Sequence, residues 1–101
     1  MIIREWRGRA DPARADAYPA HFRTRVLPEL QRIPGFQGAY LAKRPIDGKI
    51  EFLVLTRWQS LEVIRGFAGE DAAKAVVEPG AVAALLDFDA TVQHYEAIEE
   101  A

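Results

Sequence analysis

The residues of this chain that could carry out acid–base chemistry are two histidines, His21 and His94. Imidazole titrates close to neutral pH, so either ring can take a proton from a bound molecule. We predict that His94 is a general base and that His21 contacts a ligand. The alternatives are a core or interface histidine bonded to a neighbour for His94, and a surface or flanking position for His21.

Aromatic and charged residues supply the other candidate contacts. Trp58 ends an apolar stretch, where it serves either as core or as a wall for a flat ligand. Arg4, Glu5 and Arg7 share a predicted central strand, so at least one charge enters the interior or an interface. That charge belongs either to an ion pair between subunits or to a polar pocket. The predicted site comprises catalytic His94 and Trp58, with Arg4, Trp6, Tyr18, His21 and Phe22 as ligand-binding residues.

Several other kinds of site find no support in the sequence. The chain has no cysteine, which removes disulfides, thiol nucleophiles and thiolate metal sites. No histidine–carboxylate spacing is typical of a metal site, and Gly66, Gly69 and Gly80 do not form a phosphate-binding loop. Ser60 lacks the context of a nucleophile elbow and is predicted to cap a helix. We expect neither a metal nor a cofactor.

The elements that must position these residues follow from hydrophobic periodicity and turn signals. Pro19 and Pro28 predict that the first helix is kinked, or that it begins late near Pro19. Asp47-Gly48 predicts a hairpin. The predicted strands are 2–9, 36–44, 50–58 and 88–98, and the predicted helices are 12–32, one from Ser60 to Gly69, a short one over 71–77 and a turn over 81–86.

This order predicts an α+β fold of the ferredoxin-like, split βαβ type, β1-α1-β2-β3-α2-β4, as a single domain over 1–101. Its antiparallel four-stranded sheet has the order 4-1-3-2, with the helices on one face. The topology gathers Arg4, Trp58, His94 and Tyr95 at one end of the sheet.

The strand over 50–58 is apolar on both faces, and this predicts a partner. Phe52 and Val54 lie on one face, while Leu53 and Leu55 lie on the other. The chain's own helices cover one side only, so a second copy is expected to cover the other. We therefore predict a homodimer that forms through the sheet face.

Charge and hydropathy narrow the partners further. The net charge is -2 and the basic residues are scattered, which argues against nucleic-acid binding. No stretch approaches the roughly 20 apolar residues of a membrane span, and the N-terminus has no apolar run typical of a signal peptide. We expect a soluble cytoplasmic protein that binds a small molecule.

Three segments resemble the antibiotic biosynthesis monooxygenase family, within the dimeric α+β barrel superfamily: 33–38 (IPGFQG), 53–62 (LVLTRWQSLE) and 67–69 (FAG). The resemblance spans essentially the whole chain and implies a ferredoxin-like homodimer. Some members of the family oxygenate polycyclic aromatic substrates without metal or flavin, and similar proteins cleave haem. Trp58 matches the family's tryptophan, but the chain has no asparagine to match the one in the cofactor-free oxygenases. Residues 60–86 also lack the histidine of the haem-degrading members.

The resulting hypothesis is a cofactor-independent monooxygenase acting on a small aromatic or quinol-type compound. His94 or His21 would take a proton to give an electron-rich anion that reacts with oxygen, while Trp58 walls the pocket. The alternatives are a non-catalytic small-molecule-binding protein on the same dimeric barrel, and a haem-binding or haem-degrading protein. A cavity below about 100 Å³ would favour the non-catalytic protein, because ligand pockets usually reach about 300 Å³ or more.

Overall fold

The computed structural model describes all residues, 1–101, and contains one antiparallel sheet. The strands β1 (Ile2–Ala10), β2 (Phe36–Ile46) and β3 (Lys49–Trp58) are long, while β4 (Asp87–Phe88) and β5 (Gln93–Glu96) are short. The sheet order is β2-β3-β1, with β4 and β5 both paired to the far edge of β1. The predicted α+β ferredoxin-like class and the strand order 4-1-3-2 are confirmed.

The β2–β3 hairpin forms at the predicted turn. Asp47 and Gly48 both have positive φ, 48° and 74°. This combination is required by the tight turn whose twist matches that of the flanking strands, and aspartate followed by glycine adopts it readily. The turn sets the register of β2 against β3, in which Ile46 pairs with Lys49 and Leu41 with Val54. On the other side of β3, Trp58 lies opposite Ile2 at the start of β1.

The predicted kinked helix over 12–32 is built from four short pieces. A 3-10 turn over Pro12–Arg14 is followed by α1 (Ala17–His21), a π-helical turn (Phe22–Val26) and α2 (Leu27–Gln31). Pro28 has no amide hydrogen to offer the carbonyl four residues back, and its ring crowds that carbonyl. The helix widens just before Pro28, where the amide of Leu27 donates to the carbonyl oxygen of Phe22, five residues back.

The second helical region departs from prediction after its first helix. Helix α3 (Leu61–Ala68) is capped by Ser60, whose Oγ accepts from the amide of Val63 at 3.3 Å. The predicted helix over 71–77 is wrong, since residues 70–78 form an irregular segment that pairs with residues 90–92 at the edge of the sheet. We call residues 70–78 the strap. The predicted turn over 81–86 is a helix, α4 (Pro79–Ala84), that begins two residues earlier.

The predicted fourth strand, 88–98, is interrupted. Between β4 and β5 the backbone leaves the sheet ladder and forms hydrogen bonds with the strap. The amide of Ala75 donates to the carbonyl of Ala90 at 2.9 Å, and the amide of Val92 donates to the carbonyl of Ala73 at 2.8 Å. The carbonyl oxygen of Asp89, which also lies in this gap, accepts from Trp6 Nε1 at 2.8 Å. The interruption therefore ties the strap and a cavity residue to the sheet edge.

The helices cover one face of the sheet, and the other face has no helical cover. The larger core cluster includes Tyr18, Phe22, Phe52 and Val54, and a smaller one contains Leu30, Trp58 and Ile64. We call the uncovered side the open face. It carries Leu53 and Leu55, half-buried, and the exposed rings of Tyr40 and Tyr95. None of the helices has the length and hydropathy needed to span a membrane.

Candidate functional site

A cavity of about 100 Å³ lies between the helices and the covered face of the sheet. Sheet residues such as Val54 and Thr56 form its floor, helix residues such as Val26 and Leu30 form its roof, and the strap closes one end. Five of the predicted site residues line it, and two do not: Arg4, Trp6, Tyr18, His21 and Trp58 are at the cavity, whereas Phe22 and His94 are not among its lining residues.

Trp58 forms an aromatic wall of the cavity and is also core. The side chain has no exposed surface, and its ring stacks on Phe67 with 5.4 Å between centroids. The ring of Phe36 meets the Trp58 ring edge-on, with 5.3 Å between centroids. The indole Nε1 donates to Thr56 Oγ1 at 2.8 Å, so Trp58 offers a cavity occupant an apolar surface and no free hydrogen-bond donor.

His21 presents a buried nitrogen that has no partner. It is the last residue of α1, and its Nε2 makes no hydrogen bond in the structure. Buried polar atoms are nearly always paired, so an unpaired one calls for a ligand, a water or a catalytic role. The ring lies 6.2 Å from that of Tyr18 and passes directly over Gly80. His21 is a lining residue of the cavity, and its Nε2 is free to accept a hydrogen bond or a proton from a molecule that comes within reach.

Arg4 brings a buried positive charge to the edge of the cavity. Its side chain is on the covered face, opposite Thr56 and His94 in the sheet register, and the residue is 6% exposed. Nη1 donates to the carbonyl of Ala72 at 2.6 Å, and Nη2 donates to that of Lys74 at 2.9 Å. Burial lowers the pKa of Arg4 to about 10, which leaves it charged at neutral pH.

His94 forms a hydrogen bond with Arg4 and does not line the cavity. Its Nε2 lies 2.9 Å from Arg4 Nη1. A guanidinium group can only donate, so Nε2 must be the acceptor and the ring proton must lie on Nδ1. Burial, and then the charge of Arg4, lower the pKa of His94. The lone pair that a general base would use is already engaged.

Tyr18 and Phe22 are four residues apart in the helical layer but have different surroundings. Tyr18 lines the cavity, with its ring 5.8 Å from that of Trp6. Burial, and secondarily the charge of Glu78, raise the pKa of its hydroxyl, so it stays protonated. Phe22 packs in the core against Tyr18 at 6.4 Å. The structure describes no cluster of three or more His, Asp or Glu side chains suited to a metal ion.

The sequence matches a family model over most of its length. The model for antibiotic biosynthesis monooxygenases covers residues 1–79, from β1 into the start of α4.

The chain belongs to the antibiotic biosynthesis monooxygenase family. This confirms the resemblance drawn from its sequence. The match includes Trp58 and His21, while β5 and His94 lie beyond its end. A comparison with curated proteins found no match.

Solved structures show the same fold at low sequence identity. The heme-degrader MhuD from Mycobacterium tuberculosis, determined with two hemes in its active site, is 21% identical with a TM-score of 0.66 and coverage of 100% of this chain and 99% of MhuD. A protein from Deinococcus radiodurans assigned to the antibiotic biosynthesis monooxygenases is 17% identical, with a TM-score of 0.64 and coverage of 100% and 96%. A Bacillus cereus protein of the same assignment is 15% identical, with a TM-score of 0.66 and coverage of 99% and 97%.

Sequence reasoning missed the strap as a wall of the site in this monooxygenase-family chain. Val76, Val77 and Glu78 all line the cavity, and the incorrect prediction of a helix over 71–77 gave no indication of this. Phe67 also lines the cavity, and its position beside Trp58 depends on how α3 packs on the end of β3. The sequence feature that could have argued against a helix there is the pair of β-branched residues, Val76 and Val77, in an otherwise alanine-rich stretch.

Proposed function

We propose that this chain is a monooxygenase that oxidises a single-ring hydroquinone or related phenol in the cavity beside Trp58, without a cofactor. The observation that carries the proposal is the unpartnered Nε2 of His21 in an aromatic-lined cavity. A substrate hydroxyl placed there would satisfy the buried nitrogen and give up its proton to it.

The size of the cavity favours a small substrate. An engineered cavity of about 150 Å³ in another protein holds benzene, whereas ordinary ligand pockets reach about 300–1,000 Å³. A volume of about 100 Å³ therefore suits one ring, admitted by a small movement of the walls. A polycyclic substrate would need a much larger opening.

The proposed reaction needs no outside reductant. His21 takes a hydroxyl proton, and the resulting anion is electron-rich enough to pass electrons to oxygen. Hydroquinone (C₆H₆O₂) and O₂ give hydroxybenzoquinone (C₆H₄O₃) and water. One ring C–H bond breaks, one C–O bond forms and the O–O bond breaks, while the substrate supplies all four electrons. Arg4, buried without a carboxylate partner, supplies positive charge that stabilises the anions formed.

Oxygen uptake tests this proposal directly. Hydroquinone and methylhydroquinone would be incubated with the protein in an oxygen electrode, with spontaneous oxidation subtracted. His21→Gln is expected to lower the rate by about 10²- to 10⁴-fold, the usual contribution of a general base. Arg23→Gln, at an exposed position in the same helical segment, is the matched control. No uptake over hydroquinones, phenols and anthrone would overturn the proposal, and loss of uptake in His94→Gln alone would move the base to His94.

A non-catalytic binding protein is the second candidate, and the small cavity volume favours it. Such a protein would bind hydroquinone under anaerobic conditions, seen as shifts of the Trp6 and Trp58 indole signals in NMR spectra, yet consume no oxygen. Haem degradation gains no support from a cavity of this size or from α3, which carries no histidine. Absence of a Soret shift on adding hemin would dispose of haem binding.

We further propose that the chain forms a homodimer through the open face, and that it works in the cytoplasm. Support for the dimer comes from Leu53 and Leu55, which no helix covers, and from two exposed rings on the same face: Tyr40 (66%), which pairs with Leu55, and Tyr95 (51%) on β5. Light scattering at micromolar concentration tests the dimer, since a folded single subunit would contradict it. Fractionation of the cells that make the protein tests the location.

A further inference from the structure

We propose that Arg4 and neutral His94 form a latch that holds the strap over the cavity, and that protonation of His94 releases the strap and opens the cavity. The inference concerns access to the site of the proposed function, and it depends on the cavity rather than on the reaction.

The first observation is the direction of the Arg4 guanidinium. A buried arginine is usually paired with a carboxylate. Arg4 instead donates hydrogen bonds to two strap carbonyls, those of Ala72 and Lys74. Only two backbone hydrogen bonds also join the strap to the sheet edge, through Ala75 and Val92. Arg4 thus supplies two of the four hydrogen bonds that join residues 72–75 of the strap to β1 and to the segment between β4 and β5.

The second observation is what the strap covers. Val76, Val77 and Glu78 come two to four residues after Lys74, whose carbonyl accepts from Arg4, and all three line the cavity. Movement of the strap away from Arg4 would remove one end wall. Because Trp6 and Trp58 line the same cavity, both tryptophans would then become accessible from outside.

The third observation is that His94 keeps Arg4 in place only while it is neutral. Protonated at both nitrogens, the ring could not accept from Arg4, and two cations would lie 2.9 Å apart. Arg4 on β1 is the only charged group with a hydrogen bond to the ring. The other charged residues on the elements around it make no hydrogen bond or ion pair with His94: Glu96 on β5, Glu70, Asp71, Lys74 and Glu78 on the strap, and Glu62 and Arg65 on α3. The ring of Phe67 on α3 lies 5.9 Å from the Arg4 guanidinium carbon.

The direction of the pH effect follows from the environment of His94. Burial and Arg4 lower its pKa below the ordinary value of about 6.5. The unfolded or opened chain therefore binds the proton more readily than the latched one does. The latch is fully present above about pH 6.5 and is lost as the pH falls through the lowered pKa.

Acrylamide quenching of tryptophan fluorescence tests the latch without any substrate. In the wild type, the quenching constant is expected to rise several-fold between about pH 7.5 and pH 5. His94→Gln keeps a neutral acceptor for Arg4 that does not titrate, so its quenching is expected to stay low at both pH values. His21→Gln, which removes the chain's other histidine, is the matched control and is expected to rise like the wild type.

Two results would overturn the latch: no rise in quenching for the wild type, or the same rise in His94→Gln. Far-UV circular dichroism identifies the pH range over which each protein stays folded, and quenching is compared within it. Arg4→Lys, which cannot reach two carbonyls and His94 at once, is expected to show high quenching already at pH 7.5. Should that variant not fold, His94→Gln still decides. Failure of oxygen uptake would leave these outcomes unchanged.

Discussion

At the scale of single residues, the two histidines differ in their contacts, since His94 Nε2 lies 2.9 Å from Arg4 Nη1 and His21 Nε2 has no partner. Residue type alone singled out His21 and His94 as the candidate acid–base groups. Their partners depended on contacts distant in sequence, because Arg4 meets His94 across 90 residues. No local pattern reports that a nitrogen will be engaged by a guanidinium or left unpaired. The five candidates that do line the cavity were placed by strand alternation and helical spacing, which are local.

Gly80→Ala tests the position of the His21 ring. A Cβ at Gly80 would lie 2.7 Å from His21 Cε1 and Nδ1, so the imidazole would have to move while the backbone stays in place. Oxygen uptake is expected to fall at least tenfold, since small misplacement of a base is costly, with little change in thermal stability. Gly66→Ala, where nothing lies within 4 Å, is the control. Full uptake by Gly80→Ala would argue against His21 as the base.

At the scale of elements, strands were predicted better than the segments between α3 and β5. Ala72, Ala73 and Ala75 have high helix propensity, which predicted a helix over 71–77. In the folded chain, hydrogen bonds from Arg4 and from the gap after β4 outweigh a preference worth under about 1 kcal/mol per residue. The π-helical turn also escaped prediction, because proline indicates that an α-helix is disturbed but not how the chain responds.

Asp87→Asn tests how β4 is attached. Hydrogen bonds from Lys49 and then Arg9 lower the pKa of Asp87. A lowered carboxyl pKa contributes stability above the unfolded pKa of about 3.9 and loses it as the pH falls further. The carboxylate is 41% exposed, so the loss at pH 7 should stay under about 1 kcal/mol.

Urea unfolding of Asp87→Asn at pH 7 and pH 3, in low and high salt, measures this. The difference from wild type should shrink in acid and in salt, and Asp71→Asn, at an exposed position outside the ion-pair cluster, should show none. A difference that persists unchanged at pH 3 would mean that packing, not charge, carries the effect.

At the scale of the whole molecule, the open face is the surface through which we expect two chains to associate. Its ionic end is internally paired, because buried Glu51 contacts Arg44 at 2.8 Å, Arg9 at 3.4 Å and Arg7 at 3.9 Å. The apolar end around Leu53 and Leu55 has no such partner. The fold class was predictable because strand order follows from connection rules. The identity of the ligand was not, because it depends on cavity volume.

Leu55→Arg is expected to convert the proposed dimer into a folded monomer. The substitution places a charge in the middle of the apolar end, where a second copy would bury it without a partner. Light scattering at micromolar concentration gives the mass. Val82→Arg, on α4 in the helical layer and 49% exposed, is the control and should leave the mass unchanged. Equal masses for both variants would place the interface elsewhere.

The π-helical turn between His21 and Leu27 has a bearing on how relatives of this chain can differ in length. An α-helix advances about 100° per residue, so losing one residue normally rotates everything beyond it away from its former face. A turn closed by a bond to the fifth residue back already holds one residue more than an α-helical turn. A homologue one residue shorter here could run as an unbroken helix and still aim the counterparts of His21 and Leu30 at the same interior.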